Sequence, residues 1–547
     1  MIETHASLAY NYPLLIRHLW HTPLNNNPHQ EIVSGTEKRF DYRSLYSRVG
    51  KLAAGLKALG VCHGDTVAVM DWDTHRYLEC FFAIPMMGAV LHTVNIRLSP
   101  EQILYTINHA EDDVILVHAD FMPIIDQIKD RFEKPARLVF LCDDGAELPE
   151  ACALEYEAML ESGESGFEFQ DFDENTTATT FYTTGTTGDP KGVYYSHRQL
   201  VLHTLGVTAG IGSMAGNNRF HNGDVYMPIT PMFHVHAWGI PYVATMMGVK
   251  QVYPGRYEPS LLLRLIESEA VTFSHCVPTI LHMLLSAPEA DNTDLSRWKL
   301  IIGGSAFPRG LAKAAAARGI SAFTGYGMSE TCPVVCTVDM SEIEGVSTDE
   351  AETSKRCKTG VPIPMVDMRV VDSEMNDIPR EGNVTGEVVM RAPWLTQGYT
   401  RNPEGSEALW QGGYLHTGDV GFFDEEGSLQ VTDRLKDIVK SGGEWISSLE
   451  LEDVISRCPG VAEVAAFGIP DERWGERPMV VVVKAIESLD EEQVLAEVRA
   501  EVELGRLSKW AVPERVAFVE ALPKTSVGKM DKKVMRVFYA ENLSEIN

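Results

Sequence analysis

No apolar run in this sequence is long enough to span a membrane. The longest, 80–91, is interrupted by Pro85 and Gly88 and falls short of the ~20 residues a spanning helix needs, so it reads as a buried helix or loop. Positive charge is scarce too. Lysine and arginine number 47 against 77 aspartates and glutamates, a formal charge of −30, and the pI is near 5.0. The long-range field of such a chain repels nucleic acid and anionic membrane surfaces, so any site for a polyanion must build local positive charge. Nine cysteines, an odd number scattered from Cys62 to Cys458, do not make a disulfide framework and suit a reducing compartment. Cys332 and Cys336 are expected as buried core thiols. Residues 1–22 carry Glu3, Asn11, Pro13 and Arg17 among their apolar positions and lack the continuous core of an export signal, so a cytoplasmic location is expected. No internal repeat or low-complexity tract occurs.

At 547 residues with 44% apolar content the chain exceeds what a single core usually holds, and two or more domains are expected. The pattern alternates between helical and extended: 42–59 is amphipathic, 66–70 and 114–117 are short apolar strands, and 250–253, 271–274 and 300–302 continue the series. That alternation predicts an α/β fold with a large layered N-terminal region. The acidic stretch 143–173 reads as a surface connection. Beyond residue 385 the texture changes to strands with close turns, at 386–390 and 427–431, which predicts a β subdomain. After Asp433 a compact α+β unit follows. A helix capped by Ser447 and Glu450 ends at Cys458-Pro459-Gly460; strands lie at 461–467, 479–483 and 515–519, with a helix opened by Ser488 and Glu491 between them. The boundary is placed between 1–433 and 434–547.

The densest motif is Tyr182-Thr183-Thr184-Gly185-Thr186-Thr187-Gly188-Asp189-Pro190-Lys191-Gly192. Its glycines, hydroxyls and single lysine compose a phosphate cradle. It is not a Walker A loop, because Pro190 stands where the second glycine should precede the lysine and no helix follows directly. The helix comes later, with Ser196 as N-cap and Gln199 completing the box.

This loop resembles the signature of the adenylate-forming superfamily of acyl-CoA synthetases, luciferases and peptide-synthetase adenylation domains. Further stretches match that family in order. Pro231-Met232-Phe233-His234 is similar to its substrate-pocket motif, Gly325-Tyr326-Gly327-Met328-Ser329-Glu330-Thr331 to its adenine and metal motif, and Tyr414-Leu415-His416-Thr417-Gly418-Asp419 to its ribose motif. Asp433-Arg434-Leu435-Lys436-Asp437 with Lys440-Ser441-Gly442-Gly443-Glu444 resembles its hinge, and Pro523-Lys524-Thr525-Ser526-Val527-Gly528-Lys529 its catalytic-lysine loop. The resemblance spans roughly 30–540.

The resemblance implies a two-step ligase using ATP, Mg²⁺, a carboxylic acid and coenzyme A, with a mobile C-terminal domain that turns about Lys436. It implies that Lys529 meets the α-phosphate and carboxylate oxygens, and that Glu330 holds Mg²⁺ with a loop threonine, Thr183 or Thr184; oxygen ligands suit this hard cation. Asp419 would accept both ribose hydroxyls, as an ionised carboxylate can, and Tyr326 would stack on adenine. Thr324, Ser329, Gly304, Arg434, Lys440 and Trp445 are carried over as nucleotide-binding, and Ser441 to Glu444 as the segment that replaces Lys529 when CoA enters. His234 is assigned to shaping the site near the carboxylate and the sulfur. Trp238, Val235, Gly304 and Trp445 resemble the fatty-acyl-CoA synthetases, in which the first tryptophan gates an acyl tunnel, so medium or long fatty acids lead, with short branched, sulfur-containing or aryl acids as the alternative. Stretches 240–247 and 279–285 could line such a tunnel. Homodimerisation is what the fatty-acyl likeness suggests. A luciferase-like or adenylate-only enzyme and a silent nucleotide-binding regulator are the competing readings; intact Lys529, Glu330 and Asp419 argue against the last.

Overall fold

The computed structural model of the chain describes residues 6–143, 145–163, 166–183, 189–215, 218–341, 345–380, 384–441, 444–471, 473–524 and 530–542. Two large sheets dominate. The first has seven strands, ordered Cys152–Glu155, Arg137–Leu141, Val114–His118, Thr66–Met70, Val90–Thr93, Thr177–Thr183 and Lys191–Ser196. Its pairs are parallel except the last, which is antiparallel. The second has nine strands and runs from Val361–Pro362 through Val334–Thr337, Ser321–Gly327, Lys299–Ile302, Phe273–Cys276, Val225–Pro228, Lys250–Tyr253 and Glu31–Ser34 to Lys38–Asp41. Parallel strands need covered faces. The helix His75–Met86 is buried along its whole length and contacts strands of both sheets, which is why the run from Cys80 is apolar on every side. Pro85 falls in its last turn.

A four-stranded antiparallel sheet, Asp367–Val371, Gly386–Arg391, Leu415–Phe423 and Leu429–Arg434, forms the β subdomain expected from the turn-rich texture. The last unit is built on a five-stranded sheet in which Val461–Asp471 and Gly475–Lys484 form a long hairpin and Arg515–Val519 pairs parallel to the latter. Alternate residues of the hairpin feed two cores. Val464, Ala466, Val480 and Val482 pack under the helices Ser448–Ser456 and Glu491–Glu503. Ala465, Phe467, Met479 and Val481 pack against the helix Lys532–Glu541 on the other face. The period-two side-chain alternation of a strand buried on both sides explains the unbroken apolar run there.

Several local expectations change. The acidic stretch 143–173 is more than a surface connection: it supplies the edge strand Cys152–Glu155 and the helix Tyr156–Ser162. The helix expected to open at Ser488 is capped instead by Asp490, whose carboxylate accepts from the Gln493 N–H while the Gln493 side chain returns to the Asp490 N–H. Among the described residues no helix is long and apolar enough to cross a membrane. Cys332 and Cys336 are fully buried.

The acidic helix has a structural use. Arg48 donates from Nε to Glu79 Oε1 at 2.5 Å and from Nη1 to Glu157 Oε2 at 2.8 Å, while the Tyr156 hydroxyl donates to Glu79 Oε2 at 2.5 Å. Glu79 is fully buried in the central helix. Removing one partner of such a group leaves an uncompensated buried charge. Arg48→Met is therefore expected to cost about 3–5 kcal/mol in unfolding experiments, and adding Glu79→Gln to recover part of that loss. A double variant less stable than Arg48→Met alone would contradict this account of the network.

Candidate active site

The strand Thr177–Thr183 carries the hydroxyl-rich loop at its end, and the loop returns as Lys191–Ser196. Residues 184–188, and with them Thr184, Gly185, Thr186, Thr187 and Gly188, lie outside the described residues, as do Gly442, Gly443 and Lys529. The ends of the loop are fixed: Thr183 and Lys191 pair across the ladder and both line a cleft of about 1820 Å³ that opens between the large sheets, the β subdomain and the last unit.

The same cleft is lined by His234, Val235, Trp238, Gly304, Gly325, Tyr326, Gly327, Ser329 and Glu330, and by Arg434 and Lys436 at the junction with the last unit. Segments distant in sequence, from Thr183 to Lys436, thus meet at one place, as the ordered motifs require. Gly327 is dictated by close approach: a Cβ there would lie 1.8 Å from the carbonyl oxygen of Pro333. The neighbouring Tyr326 donates its hydroxyl to Asp419 Oδ2 at 2.7 Å, and Arg434 Nε lies 3.2 Å from Asp419 Oδ1. Asp419 sits on the strand Leu415–Phe423 directly opposite Arg434 on Leu429–Arg434. Burial, and then the Asp419 carboxylate, push the Tyr326 hydroxyl well above its ordinary pKa, so it remains a donor.

Glu330 is buried, and burial raises its carboxyl above the usual carboxylate range. The hydrogen bond from Tyr399 and the charges of Arg434 and Lys191 act against that rise. Tyr399 is a site residue that the sequence reading missed. Its hydroxyl donates to Glu330 Oε1 at 2.7 Å, and Lys191 Nζ stands 4.7 Å from its ring centroid. The main chain holds this arrangement, because Thr400 N–H donates to Gly192 O at 2.8 Å and Thr396 N–H to Glu330 O at 3.1 Å. One tyrosine thereby joins a buried carboxylate to the lysine that ends the loop.

The pocket loop after Pro231 has unusual backbone geometry. Val235, His236, Ala237 and Trp238 have φ of 48°, 55°, 47° and 59°, followed by Gly239 at 73°. Left-handed backbone costs L-residues about 1–2 kcal/mol each and normally occurs singly, so surrounding contacts must hold this turn. It presents Val235 and Trp238 to the cleft. The Trp238 ring packs on His275, with centroids 4.9 Å apart, and against Gly303, where a Cβ would come within 2.9 Å of it. Behind it lies a small chamber of about 30 Å³ lined by residues that include Thr230, Tyr257, Val277, Ile280 and Gly304.

Other expected site residues lie away from the cleft lining. Thr324 is buried on Ser321–Gly327 and donates to Arg356 O at 2.9 Å. Lys440, Ser441 and Glu444 belong to the hairpin Val439–Ser441 and Glu444–Ile446 and are not among the described lining residues; there Trp445 pairs with Lys440 along the main chain. Ser441 Oγ is buried and accepts from Arg477 Nη1 at 3.1 Å. None of 240–247 lines the cleft: the helix Ile240–Met247 is core, whereas Thr279 from the helix Pro278–Leu285 does reach it. The last unit is tied to the β subdomain by Asp433 Oδ2, which accepts from Ser448 N–H at 2.6 Å, and by Ser447 Oγ, which donates to Thr432 O at 2.5 Å; within the last unit Arg536 lies 2.9 Å from Asp437 Oδ1. Lys532 bonds Ser448 Oγ at 2.7 Å and Glu452 Oε1 at 2.8 Å, on the wall of the same cleft.

Known proteins resemble this chain along most of its length. A family model described as AMP-binding enzyme matches residues 20–400, and one described as AMP-binding enzyme C-terminal domain matches 450–529. The chain is similar to a long-chain-fatty-acid–CoA ligase of Thermus thermophilus, 42% identical over 93% of each chain. It is 36% identical, over 94% of each, to a 3-methylmercaptopropionyl-CoA ligase of Ruegeria pomeroyi. Among solved structures it resembles ATP-bound MatB from Rhodopseudomonas palustris, with a TM-score of 0.83 and 25% identity over 97% of this chain and 99% of that one. A family model covering most of the chain and relatives matching nearly all of it leave one conclusion: the chain belongs to the AMP-binding enzyme family.

Proposed function

We propose that this chain is an ATP-dependent acid:thiol ligase, converting a carboxylic acid through its acyl-adenylate to an acyl-CoA with release of pyrophosphate and AMP. The observation that carries this reading is the meeting, in one cleft, of Lys191, Tyr326, Glu330 and Arg434 with the apolar face of Val235 and Trp238. A nucleotide triphosphate needs the first group, and an acyl chain the second. In the first step a carboxylate oxygen attacks the α-phosphorus and the bond to pyrophosphate breaks. Attacking and leaving groups are both anionic, so the barrier is lowered chiefly by cations set in place beforehand. Lys191 supplies one at the loop, and Lys529 is assigned to the reacting oxygens.

Glu330 with the hydroxyl of Thr183 or Thr184 would hold Mg²⁺. The chemistry fits: a buried carboxylate whose charged form burial disfavours gains from a hard cation, and this ion commonly takes one carboxylate, with substrate phosphates and water completing its shell. The ion would neutralise charge on the phosphate oxygens. Tyr399 fixes Glu330 Oε1 through its hydrogen bond. Asp419, now engaged by Tyr326 and Arg434, is assigned to the ribose hydroxyls.

In the second step the CoA sulfur attacks the acyl carbonyl, AMP leaves, and the thiol proton is lost to solvent. The thiol's path is assigned to the place Lys529 vacates when the last unit turns about Lys436 and brings in the segment 440–444. A turn about one or two boundary residues is an ordinary mode of domain motion.

Medium- or long-chain fatty acids are the proposed substrates, supported by the 42% identical Thermus relative. A second reading, a short sulfur-containing acid, is favoured by the Ruegeria relative and by the small chamber behind Trp238. CoA-dependent release of AMP from ATP, measured across acids of graded length, tests both; no acid-dependent AMP would defeat the ligase reading.

Lys529→Ala is expected to abolish acyl-AMP formation while transfer from supplied acyl-AMP to CoA persists. Equal loss of both half-reactions in a folded variant would refute the two-state exchange. Trp238→Ala joins the small chamber to the cleft and is expected to move the preferred acid toward longer chains. An unchanged length profile would remove Trp238 from the gate.

A further inference from the structure

The left-handed turn is held from the opposite sheet. Met232 N–H donates to Asp73 Oδ1 at 3.0 Å, and the Thr93 hydroxyl donates to Phe233 O at 2.9 Å. At the centre of the turn, the His236 ring points away from the cleft into the core, where Phe81 and Phe181 meet it edge to face at 5.5 and 5.4 Å. His236 Nε2 lies 2.6 Å from Thr179 Oγ1. Thr179 is fully buried on the strand Thr177–Thr183, four residues before the loop that begins after Thr183.

The neighbouring hydrogen bond assigns the roles at this contact. Thr179 has one hydroxyl proton and donates it to Leu91 O at 2.9 Å, so its oxygen is assigned as the acceptor from His236. That assignment gives the Nε2–H tautomer and leaves Nδ1 as the lone-pair nitrogen, consistent with its having no hydrogen-bond partner among the described residues. Burial, with His203 nearby, lowers the His236 pKa to about 3, which keeps the ring neutral.

We propose that His236 is a positioning residue for acid recognition: its hydrogen bond to Thr179 clamps the left-handed turn that presents Val235 and Trp238 onto the strand leading into the hydroxyl-rich loop. The backbone of the turn is intrinsically unfavourable, and its flanks belong to the nine-stranded sheet, through Val225–Pro228 and the helix Ile240–Met247. The loop belongs to the seven-stranded sheet. The His236–Thr179 contact therefore sets the position of the acid pocket relative to the phosphates across the junction of two sheets. This inference rests on the ligase reading above, and nothing in it requires His236 to touch substrate.

The test uses the full chain with Thr179→Val, His236→Phe and the double variant, and with Thr179→Ser as the conservative control. Acid-dependent AMP formation is measured across the graded acids, alongside the KM for ATP and the unfolding midpoint. Thr179→Val and His236→Phe are each expected to raise the acid KM five- to tenfold and to flatten discrimination among chain lengths, with the ATP KM within twofold of the parent. The double variant should lose no more than either single one, because both remove the same bond, and Thr179→Ser should keep the parent profile. Unchanged acid KM and length profile in the single variants overturn the proposal. So does a parallel rise in the acid and ATP KM, the mark of general loosening, or strictly multiplicative losses in the double variant. If Thr179→Val does not fold, His236→Phe decides, since it leaves the Leu91 bond in place. A parent chain that forms no AMP with any acid rejects the ligase reading and this inference with it, whereas an active parent with unaltered variants rejects the inference alone.

Discussion

The strand Thr177–Thr183 is hydrogen-bonded to a parallel neighbour, Val90–Thr93, on one side and to an antiparallel one, Lys191–Ser196, on the other. That change of direction places Thr183 and Lys191, the two ends of the loop, at the carboxyl end of the parallel strands, where open α/β sheets bind ligands. The cleft is organised around that end. Lys191 returns from the loop onto the Tyr399 ring, Tyr399 reaches Glu330, and buried Thr179 on the same strand takes up His236. A displacement of this strand would therefore move the loop lysine, the buried carboxylate and the acid pocket together.

Electrostatics set the second constraint. A chain with a formal charge of −30 repels ATP and carboxylates at long range. The cleft lining mixes both signs: Lys191, Arg434, Lys436, Lys532 and Arg536, drawn from the loop, the junction and the helix Lys532–Glu541, stand among carboxylates that include Glu330, Asp433, Asp437 and Glu452, so its positive charge is local. Several of these cations come from the last unit, so the field at the cleft depends on where that unit stands. The contacts of Asp433 with Ser448 and of Thr432 with Ser447 hold it where the structure has it. A turn about Lys436 would rearrange both charge and access.

Much of the architecture was readable from sequence because the short parallel strands are apolar and bounded by polar turns. Those expected at 66–70, 250–253 and 515–519 form at those residues. Where a strand runs on into an apolar turn the period gives no end point, and the one expected at 271–274 lies at Phe273–Cys276. The helix Tyr156–Ser162 was hidden by its acidity, since Glu157 is held by Arg48 from a distant helix. The motif residues Lys191, Tyr326 and Glu330 were legible as a cluster because their order along the chain is itself a signal. Tyr399 was not: its partner Glu330 is 69 positions away and only the fold joins them. Nor was the left-handed turn, in which a single glycine, Gly239, follows four residues that ordinarily avoid such backbone.

The central claim is that the acid is activated by its own attack on the α-phosphorus of ATP. Turnover with an acid whose carboxylate carries oxygen-18, followed by mass spectrometry of the nucleotide, tests it directly. The account predicts that each AMP released carries one oxygen from the acid. Unlabelled AMP, or label appearing in inorganic phosphate beside ADP, would contradict it.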